Sequence, residues 1–329
     1  MAVSAPPKSP FKEQGEYFSQ LAAAHTSQAD GTIRAEDRQK LKERTRFYYD
    51  RAADATRVRS FWNFGYSGAD AVGKIRKYIP EFGKREETDG FSEQLYFAAV
   101  QQLPIGVEDL AGMTVLDIGC GLGEGLNFLS RILPASRMVG LDLSQKSVDM
   151  ANGRLARRST LTYVCGDAEN APFEDGEIDV VVNIESAHTY PDHARFLQEV
   201  ARILKPGGYM AQVDLYADGR RWEETLAARE KVPQLDWIRE KDISAEVRTA
   251  VRSRLLPGSF FNRQFADIPA IVRAYAVRHI SFLYGRSFAG VPDDTYIKLM
   301  RRLRLFRTGE NAPISADASY RLSVAQRRQ

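Results

Sequence analysis

The sequence predicts an α/β fold with a doubly wound sheet of about seven strands. From about residue 112, short apolar runs rich in β-branched residues alternate with helical segments, as in parallel sheets. One of these runs, residues 114–118, leads into a loop with glycine at positions 119, 121 and 123, and a helical pattern follows. A strand, a glycine loop and a helix form a nucleotide pocket at the carboxyl end of a strand. The sequence therefore predicts a ligand-binding sheet edge at this loop.

The chain divides into five segments by composition and pattern. Residues 1–34 are rich in Ala, Ser, Pro, Gly and Gln, which predicts a disordered or loosely docked arm. Residues 35–111 form an N-terminal helical segment with an aromatic-rich turn, which either covers a pocket or plugs the sheet edge. The α/β core occupies residues 112–243. A mostly helical cap over the pocket (244–310) and a final strand, expected to be antiparallel (311–329), complete the chain.

Composition limits the classes of function. Acidic and basic residues nearly balance, with 43 and 46 respectively and a net charge of +3, which does not indicate a nucleic-acid partner. The two cysteines cannot form a disulfide framework, which fits a reducing compartment. No apolar run approaches the roughly 20 residues of a membrane span. We expect a soluble cytoplasmic protein without a metal, and a homodimer is possible.

Asp117 indicates which ligand the glycine loop holds. It lies at the end of the first strand, two residues before Gly119. A carboxylate here repels a pyrophosphate but suits a ligand with an ammonium and a sulfonium group. The glycines also lack the longer last gap of the dinucleotide fingerprint. The loop therefore predicts S-adenosylmethionine rather than NAD.

Two further carboxylates follow the next strands. Asp142 ends the second strand, 19 residues after Gly123, where an acid can accept both ribose hydroxyls. Asp167 follows the third strand and can accept from an adenine amine, although an Asp here could also cap a turn. Because the carboxyl ends of parallel strands share one edge, we expect all three acids in one crevice.

These motifs resemble those of the class I S-adenosylmethionine-dependent methyltransferases. The resemblance rests on residues 115–125, 140–142 (Gly-Leu-Asp), 166–168 (Gly-Asp-Ala) and 204–208 (Leu-Lys-Pro-Gly-Gly), in that order. It implies a Rossmann-like sheet with the methionine part at Asp117, the ribose at Asp142 and the adenine at Asp167. The cofactor-binding residues that it implies are Asp117, Gly119, Cys120, Gly121, Gly123, Asp142, Leu143, Asp167, Ala168, Asn183 and Ile184.

A narrower resemblance concerns the acceptor. Residues 183–191 (Asn-Ile-Glu-Ser-Ala-His-Thr-Tyr-Pro), with 63–66 and 241–244, are similar to small-molecule methyltransferases of natural-product and lipid metabolism, notably the phthiotriol-type O-methyltransferases. Prenyl-diphosphate C-methyltransferases share a comparable Asn-x-Glu stretch. The Asp/Asn-Pro-Pro-aromatic motif of transferases that act on nucleobases does not occur after the fourth strand. The resemblance implies a small-molecule acceptor and no nucleic acid.

Two residues of that stretch are candidate catalytic groups. His188 titrates near neutrality and is the predicted general base for O-methylation, although it could equally be a hydrogen-bonded loop residue. Glu185 could bind the methionine ammonium, orient the substrate, or accept a proton after C-methylation of a prenyl diphosphate. A third possibility is a protein that binds the cofactor without transferring methyl. Predicted acceptor contacts, each of which packing could also explain, are Tyr49, Trp62, Tyr66 and Tyr190.

Overall fold

The sheet of the protein has the predicted doubly wound topology. The computed structural model describes residues 34–55, 61–84, 88–135, 137–157, 160–256, 258–263, 288–292, 295–302 and 315–329. These residues form one seven-stranded sheet in the order β3-β2-β1-β4-β5-β7-β6. The strands are β1 (Thr114–Ile118), β2 (Arg137–Asp142), β3 (Leu161–Cys165), β4 (Ile178–Ile184), β5 (Leu204–Tyr216), β6 (Leu235–Asp242) and β7 (Ser319–Arg327).

Strand direction places the carboxyl ends of five strands at one edge. Strands β1 to β5 pair in parallel, whereas β7 pairs antiparallel with both β5 and β6. The predicted final antiparallel strand is therefore confirmed. Because β1 lies beside both β2 and β4, the loops that follow these strands meet around one crevice.

Helices flank both faces of the sheet. They are α1 (Ala35–Ala55), α2 (Ala71–Arg76), α3 (Phe91–Gln101), α4 (Glu124–Leu129), α5 (Gln145–Leu155), α6 (His193–Ile203), α7 (Gly219–Glu230), α8 (Ser244–Leu255), α9 (Phe260–Arg263) and α10 (Thr295–Arg302). Polar side chains define several of their starts: Ser144, Asp192 and Asp218 each accept a backbone N–H of the first turn of α5, α6 and α7. None of the helices in the described parts of the chain is long and apolar enough to cross a bilayer.

The core consists of two apolar clusters, one on each face of the sheet. Alternation along β1 shows this division, since Val115 belongs to one cluster and Leu116 and Ile118 to the other. Helices α3 and α4 pack on the first face, and α6 packs on the second. Burial on both faces explains why the central strands are almost continuously apolar.

The described residues do not cover much of the predicted N-terminal arm (1–34) or of the predicted cap (244–310). Residues 1–33 and most of the predicted cap, including 264–287 and 303–314, lie outside them. Of the predicted cap, α8 buries Val247, Ala250 and Val251 against the core. This helix is therefore anchored to the body of the domain.

Candidate active site

A crevice opens where β1, β2, β3 and β4 end. It encloses about 920 Å³ of space, including part that is open to solvent, which is within the usual range for a small-molecule site. Its lining comes from the four strand ends, from α1, from residues 61–63, from Tyr96 of α3 and from the start of α4. We call residues 61–66 the aromatic loop. Among the described residues, none of the predicted cap (244–310) lines the crevice.

The glycine loop after β1 allows very close packing. Gly119 has a φ of +76°, and a Cβ added there would lie 2.4 Å from the Cβ of Ser186 in the turn after β4. Gly121 has a φ of +53° and lies beneath the indole of Trp62, with an added Cβ 3.2 Å from its nearest ring atom. Both glycines line the crevice. A side chain at either position would be strained and would displace a wall of the site.

Asp117 is a buried acid that has a hydrogen-bond partner for only one of its carboxylate oxygens among the described residues. Its side chain has no exposed surface, and its Oδ2 accepts a 3.3 Å hydrogen bond from the Tyr96 hydroxyl. Its Oδ1 has no hydrogen-bond partner among the described residues. Burial raises the pKa of Asp117 to about 7. An orphaned buried carboxylate oxygen below the glycine loop fits an ammonium group, because a cation would satisfy it and stabilise its ionised form.

Asp142 is held rigidly at the end of β2. Its Oδ2 accepts from the Gly121 N–H at 2.8 Å, and its Oδ1 accepts from the Ser144 N–H at 2.9 Å. Burial raises the pKa of Asp142, and these two N–H donors oppose that effect. Asp142, Leu143 and Cys120 all line the crevice. The carboxylate is thus preorganised beside the glycine loop.

Asp167 has a partner that sequence reasoning missed. Its Oδ2 lies 2.6 Å from the Lys42 Nζ of α1, and its Oδ1 accepts from the Glu169 N–H at 2.9 Å. Lys42 also lies 2.6 Å from the Glu169 carboxylate, which is almost fully buried. Ala168 lines the crevice beside them. Lys42 is 125 residues from Asp167, and nothing distinguishes it in the sequence from the other basic residues of α1.

Helix α1 closes one side of the crevice through further polar contacts. The Ser144 hydroxyl is 2.5 Å from the Asp50 carboxylate, and Arg38 forms a 3.2 Å ion pair with Asp192. Thr45 and Tyr49 of the same helix also line the crevice. We infer that α1 is a lid over the predicted adenine side and that Lys42 holds it.

Lys42→Met is expected to accelerate release of the cofactor about tenfold, which corresponds to about 1.4 kcal/mol. The change removes the only cation that the described residues place in the crevice lining and leaves Asp167 and Glu169 facing one another. Stopped-flow displacement of S-adenosylhomocysteine measures the rate. Lys40→Met, on the exposed side of the same helix, is the control. An unchanged release rate in a folded Lys42→Met protein would contradict the lid.

Asp117, Asn183 and Gly123 lie next to the crevice rather than in its lining. The buried Asn183 Nδ2 donates to the Ile118 carbonyl at 2.9 Å and to the Ser186 hydroxyl at 2.7 Å. The Gly123 carbonyl accepts from the Tyr163 hydroxyl at 2.9 Å. Both contacts fix the loops after β1 and β4. Direct cofactor contact by Asn183 or Gly123 remains a prediction, whereas Ile184 does line the crevice.

Glu185 combines backbone strain, partial burial and access to the crevice. Its φ of +49° is unusual for a residue with a side chain. Its N–H donates to the Val213 carbonyl at 2.8 Å, and its Oε1 accepts from the Phe64 N–H at 2.5 Å. Burial raises the pKa of Glu185 to about 7, although the Tyr320 hydroxyl and the Phe64 N–H oppose the rise. A carboxyl that titrates near neutrality beside a pocket is suited to proton transfer.

His188 lies behind this wall. Its Nδ1 is 2.7 Å from Asp214 Oδ1, and its backbone N–H donates to Asp214 Oδ2 at 2.9 Å. Burial lowers the pKa of His188, but the carboxylates of Asp214 and Glu185 outweigh burial and raise it. The residue is not part of the crevice lining. The roles of His188 and Glu185 both stay predictions, and of the two only Glu185 lines the crevice.

The aromatic loop serves both functions that the sequence left open. Phe61 and Trp62 line the crevice, whereas Tyr66 packs against the core cluster and does not line it. The Tyr49 and Trp62 rings are 5.4 Å apart, so α1 and the loop form one aromatic wall. Tyr190 also lines the crevice and packs edge-on against Phe196 at 4.8 Å. The sequence analysis did not predict Phe61 and Tyr96 as lining residues, because an aromatic residue in a sequence carries no signal that separates core packing from ligand contact.

The described geometry consists of a glycine loop, three acids after successive strands and a strained glutamate. A methyltransferase-domain family model matches residues 116–212, which contain all of these features. The chain contains a methyltransferase domain. Its motifs and fold are those of the S-adenosylmethionine-dependent class, which confirms the family and cofactor predicted from the sequence.

Curated relatives share this methyltransferase domain. The chain is 38% identical over 187 residues to a phthiotriol/phenolphthiotriol dimycocerosates methyltransferase of Mycobacterium tuberculosis, covering 56% of this chain and 63% of the relative. It is 37% identical over 173 residues to a fatty-acid O-methyltransferase of Mycolicibacterium smegmatis, covering 51% and 57%. The matches thus span less than two thirds of these relatives.

A solved structure supports the same fold over a longer stretch. Geranyl diphosphate C-methyltransferase from Streptomyces coelicolor A3(2), solved with S-adenosyl-L-homocysteine, matches with a TM-score of 0.54 and 18% identity. The match covers 87% of this chain and 97% of that one. At this level of identity the likeness establishes the arrangement of the methyltransferase domain and its flanking helices, and nothing about the acceptor.

Proposed function

We propose that this protein transfers a methyl group from S-adenosylmethionine to a hydroxyl of a neutral, lipid-like small molecule. The observation that carries the proposal is Glu185, a strained and half-buried carboxyl with a pKa near 7 in the wall of the crevice. The name of the fatty-acid O-methyltransferase relative supports an oxygen acceptor, and the name of the phthiotriol-type relative supports a lipid-like one.

The residues of the crevice fit the cofactor. Asp117 would take the methionine ammonium, since its Oδ1 is buried and unpartnered among the described residues. Asp142 would accept from the ribose hydroxyls, and Asp167 with Ala168 would bind the adenine under α1. The backbone of Gly119 and Gly121 leaves room for close approach. When bound, the cofactor supplies an electrophilic methyl carbon.

In this proposal, Glu185 is the general base that accepts the proton of the acceptor hydroxyl. In its ionised form it would accept a hydrogen bond from the acceptor hydroxyl and take that proton as the new oxygen–carbon bond forms and the methyl–sulfur bond of the cofactor breaks. The fixed Phe64 N–H holds the carboxylate in one orientation at 2.5 Å. Aromatic walls exclude water and orient an apolar chain, so positioning supplies much of the rate enhancement.

The charge of the crevice favours a neutral acceptor over a diphosphate. Its described lining has a single cation, Lys42, which two carboxylates already bind. The carboxylates of the lining are Glu124, Asp142, Asp167, Glu169 and Glu185. These carboxylates would repel an anionic acceptor, whereas they would attract a cationic cofactor. The C-methylation alternative with a prenyl diphosphate is therefore less well supported.

The test is incubation with methyl-labelled S-adenosylmethionine and a panel of acceptors. The panel contains a long-chain diol, a fatty acid, geranyl diphosphate and a lipid extract of the producing organism. We expect labelled methyl ether from the diol or from hydroxylated lipids of the extract. Label only in geranyl diphosphate would favour C-methylation. Tight cofactor binding without any labelled product would overturn the proposal in favour of a non-methylating protein.

The cellular context is also part of the proposal. Both Cys120 and Cys165 are free thiols, which is compatible with the reducing cytoplasm. We propose a cytoplasmic enzyme with a small-molecule partner and no nucleic acid. Its acceptor would be a membrane-derived or secondary metabolite.

A further inference from the structure

We propose that Arg254 is a positioning residue that holds the aromatic loop in place and so fixes the Phe64 N–H on Glu185. The inference rests on the proposed function of Glu185. Arg254 lies at the end of α8, outside every motif that the sequence singled out for the site. It does not line the crevice, so its effect on the reaction would be indirect.

Arg254 is buried and binds three residues in two separate parts of the chain. Its Nε and Nη2 donate to the two carboxylate oxygens of Asp89, at 2.6 and 2.9 Å. Nη2 also donates to the Ser92 hydroxyl at 2.8 Å, and Nη1 donates to the Asn63 carbonyl at 2.9 Å. The planar guanidinium makes these contacts together because its donors form a fixed fork. The fork therefore joins α8, the start of α3 and the aromatic loop.

The aromatic loop is tightly packed against α3. Gly65 has a φ of +80°, and a Cβ added there would lie 2.7 Å from Phe91 Cβ and 3.2 Å from Arg254 Cζ. The Gly65 N–H donates to Asn63 Oδ1, and the Tyr66 N–H donates to the Phe91 carbonyl at 2.9 Å. The residue between the Arg254 contact and this anchor is Phe64. Its N–H can therefore point at Glu185 only while the residues on both sides are held.

Phe64 contributes the one backbone donor that Glu185 receives from the described residues. Other groups that act on the Glu185 carboxyl come from different elements: Tyr96 on α3, His188 after β4, Asp214 on β5 and Tyr320 on β7. None of these four contacts Arg254 in the hydrogen bonds described above. Loosening the loop would therefore remove the Phe64 N–H from Glu185. It would also free the Phe64 ring from Tyr320, whose ring centroid lies 6.3 Å away and whose hydroxyl likewise lowers the pKa of Glu185. Loss of an N–H donor to a carboxylate raises the pKa of that carboxyl.

Arg254→Lys is the sharpest variant, because lysine keeps the charge but cannot form the fork. Arg252→Lys is the matched control, since Arg252 is on the same helix and donates to the Ala289 carbonyl instead. Two readouts are used: the pH profile of kcat and the ¹³C titration of isotopically labelled glutamate carboxyls, with Glu185→Gln to assign the signal.

We expect Arg254→Lys to move the Glu185 midpoint upward by about one pH unit. At pH 7 the ionised fraction of Glu185 would fall about fivefold, and the activity of the variant would recover above pH 8. Affinity for S-adenosylhomocysteine and both readouts in the Arg252→Lys control should stay unchanged. Asp89→Asn, which loosens the guanidinium from the other side, should shift the midpoint in the same direction and serves if Arg254→Lys does not fold.

An unchanged midpoint in a folded variant of either position would overturn the inference. So would an activity loss that is equal at all pH values, because that indicates a general structural defect. The carboxyl titration needs no methyl transfer, so it tests Arg254 even if Glu185→Gln leaves activity intact. In that case the proposed role of Glu185 fails, while the contact between Arg254 and the loop is still measured.

Discussion

Glu185→Gln is expected to lower kcat for methyl transfer about 10²–10⁴-fold, the usual contribution of a general base. Glutamine can still accept from the Phe64 N–H, so the turn after β4 should keep its conformation. It cannot take a proton at neutral pH. Steady-state kinetics with the labelled cofactor and the active acceptor of the panel measure the loss. Calorimetric titration with S-adenosylhomocysteine should show affinity within a few-fold of the wild type.

The matched comparison is His188→Gln, on the other side of the same turn. Because His188 does not line the crevice, its replacement should cost less than Glu185→Gln. A severe loss in His188→Gln with a mild loss in Glu185→Gln would make His188 the base, as the sequence suggested. In the wild type, kcat should fall as the pH drops below about 7, because Glu185 becomes protonated there.

Asp117 should make cofactor affinity depend on pH. Its pKa of about 7 means that the carboxylate is protonated in much of the protein at pH 6. A cation binds the ionised form, so affinity should fall by up to about tenfold per pH unit below 7. At pH 8, Asp117→Asn should weaken binding by the value of one charge-assisted contact, about 1.5–3 kcal/mol. Its affinity should also depend less on pH.

The effect of Asp117 on the stability of the ligand-free protein should have the opposite dependence on pH. Cofactor affinity rises with pH, whereas the contribution of Asp117 to stability falls. Burial raises the pKa of Asp117 above its value in the unfolded chain, so folding takes up a proton between the two values. Stability from this group is present below the unfolded pKa and is lost as the pH rises to about 7. Asp117→Asn should therefore raise the melting temperature at pH 8, and the exposed Asp149→Asn should not. A variant with weaker binding and lower stability would indicate simple damage.

The sequence by itself determined the class of domain. The features that identify the domain are local in the sequence. They are the glycines at 119, 121 and 123 and the acids at the ends of β1 and β2 and after β3, and each lies within a few residues of the turn or strand end that explains it. Parallel pairing then brings Asp117, Asp142 and Asp167 to one edge without any further information. The antiparallel final strand and the seven-stranded sheet were predicted in the same way. The predicted cap lies largely outside the described residues, so it remains a prediction.

Only the tertiary structure decided which groups act on the crevice. Lys42 meets Asp167 across 125 residues, and Arg254 meets Asn63 across 191. Such contacts depend on how helices dock on the sheet, and a basic residue on a helix has the same sequence context whether it is buried or solvated. The different positions of Glu185 and His188 relative to the crevice have the same origin. They are three residues apart in one turn, and the φ of +49° at Glu185 together with Asp214 on β5 places one in the crevice wall and the other behind it.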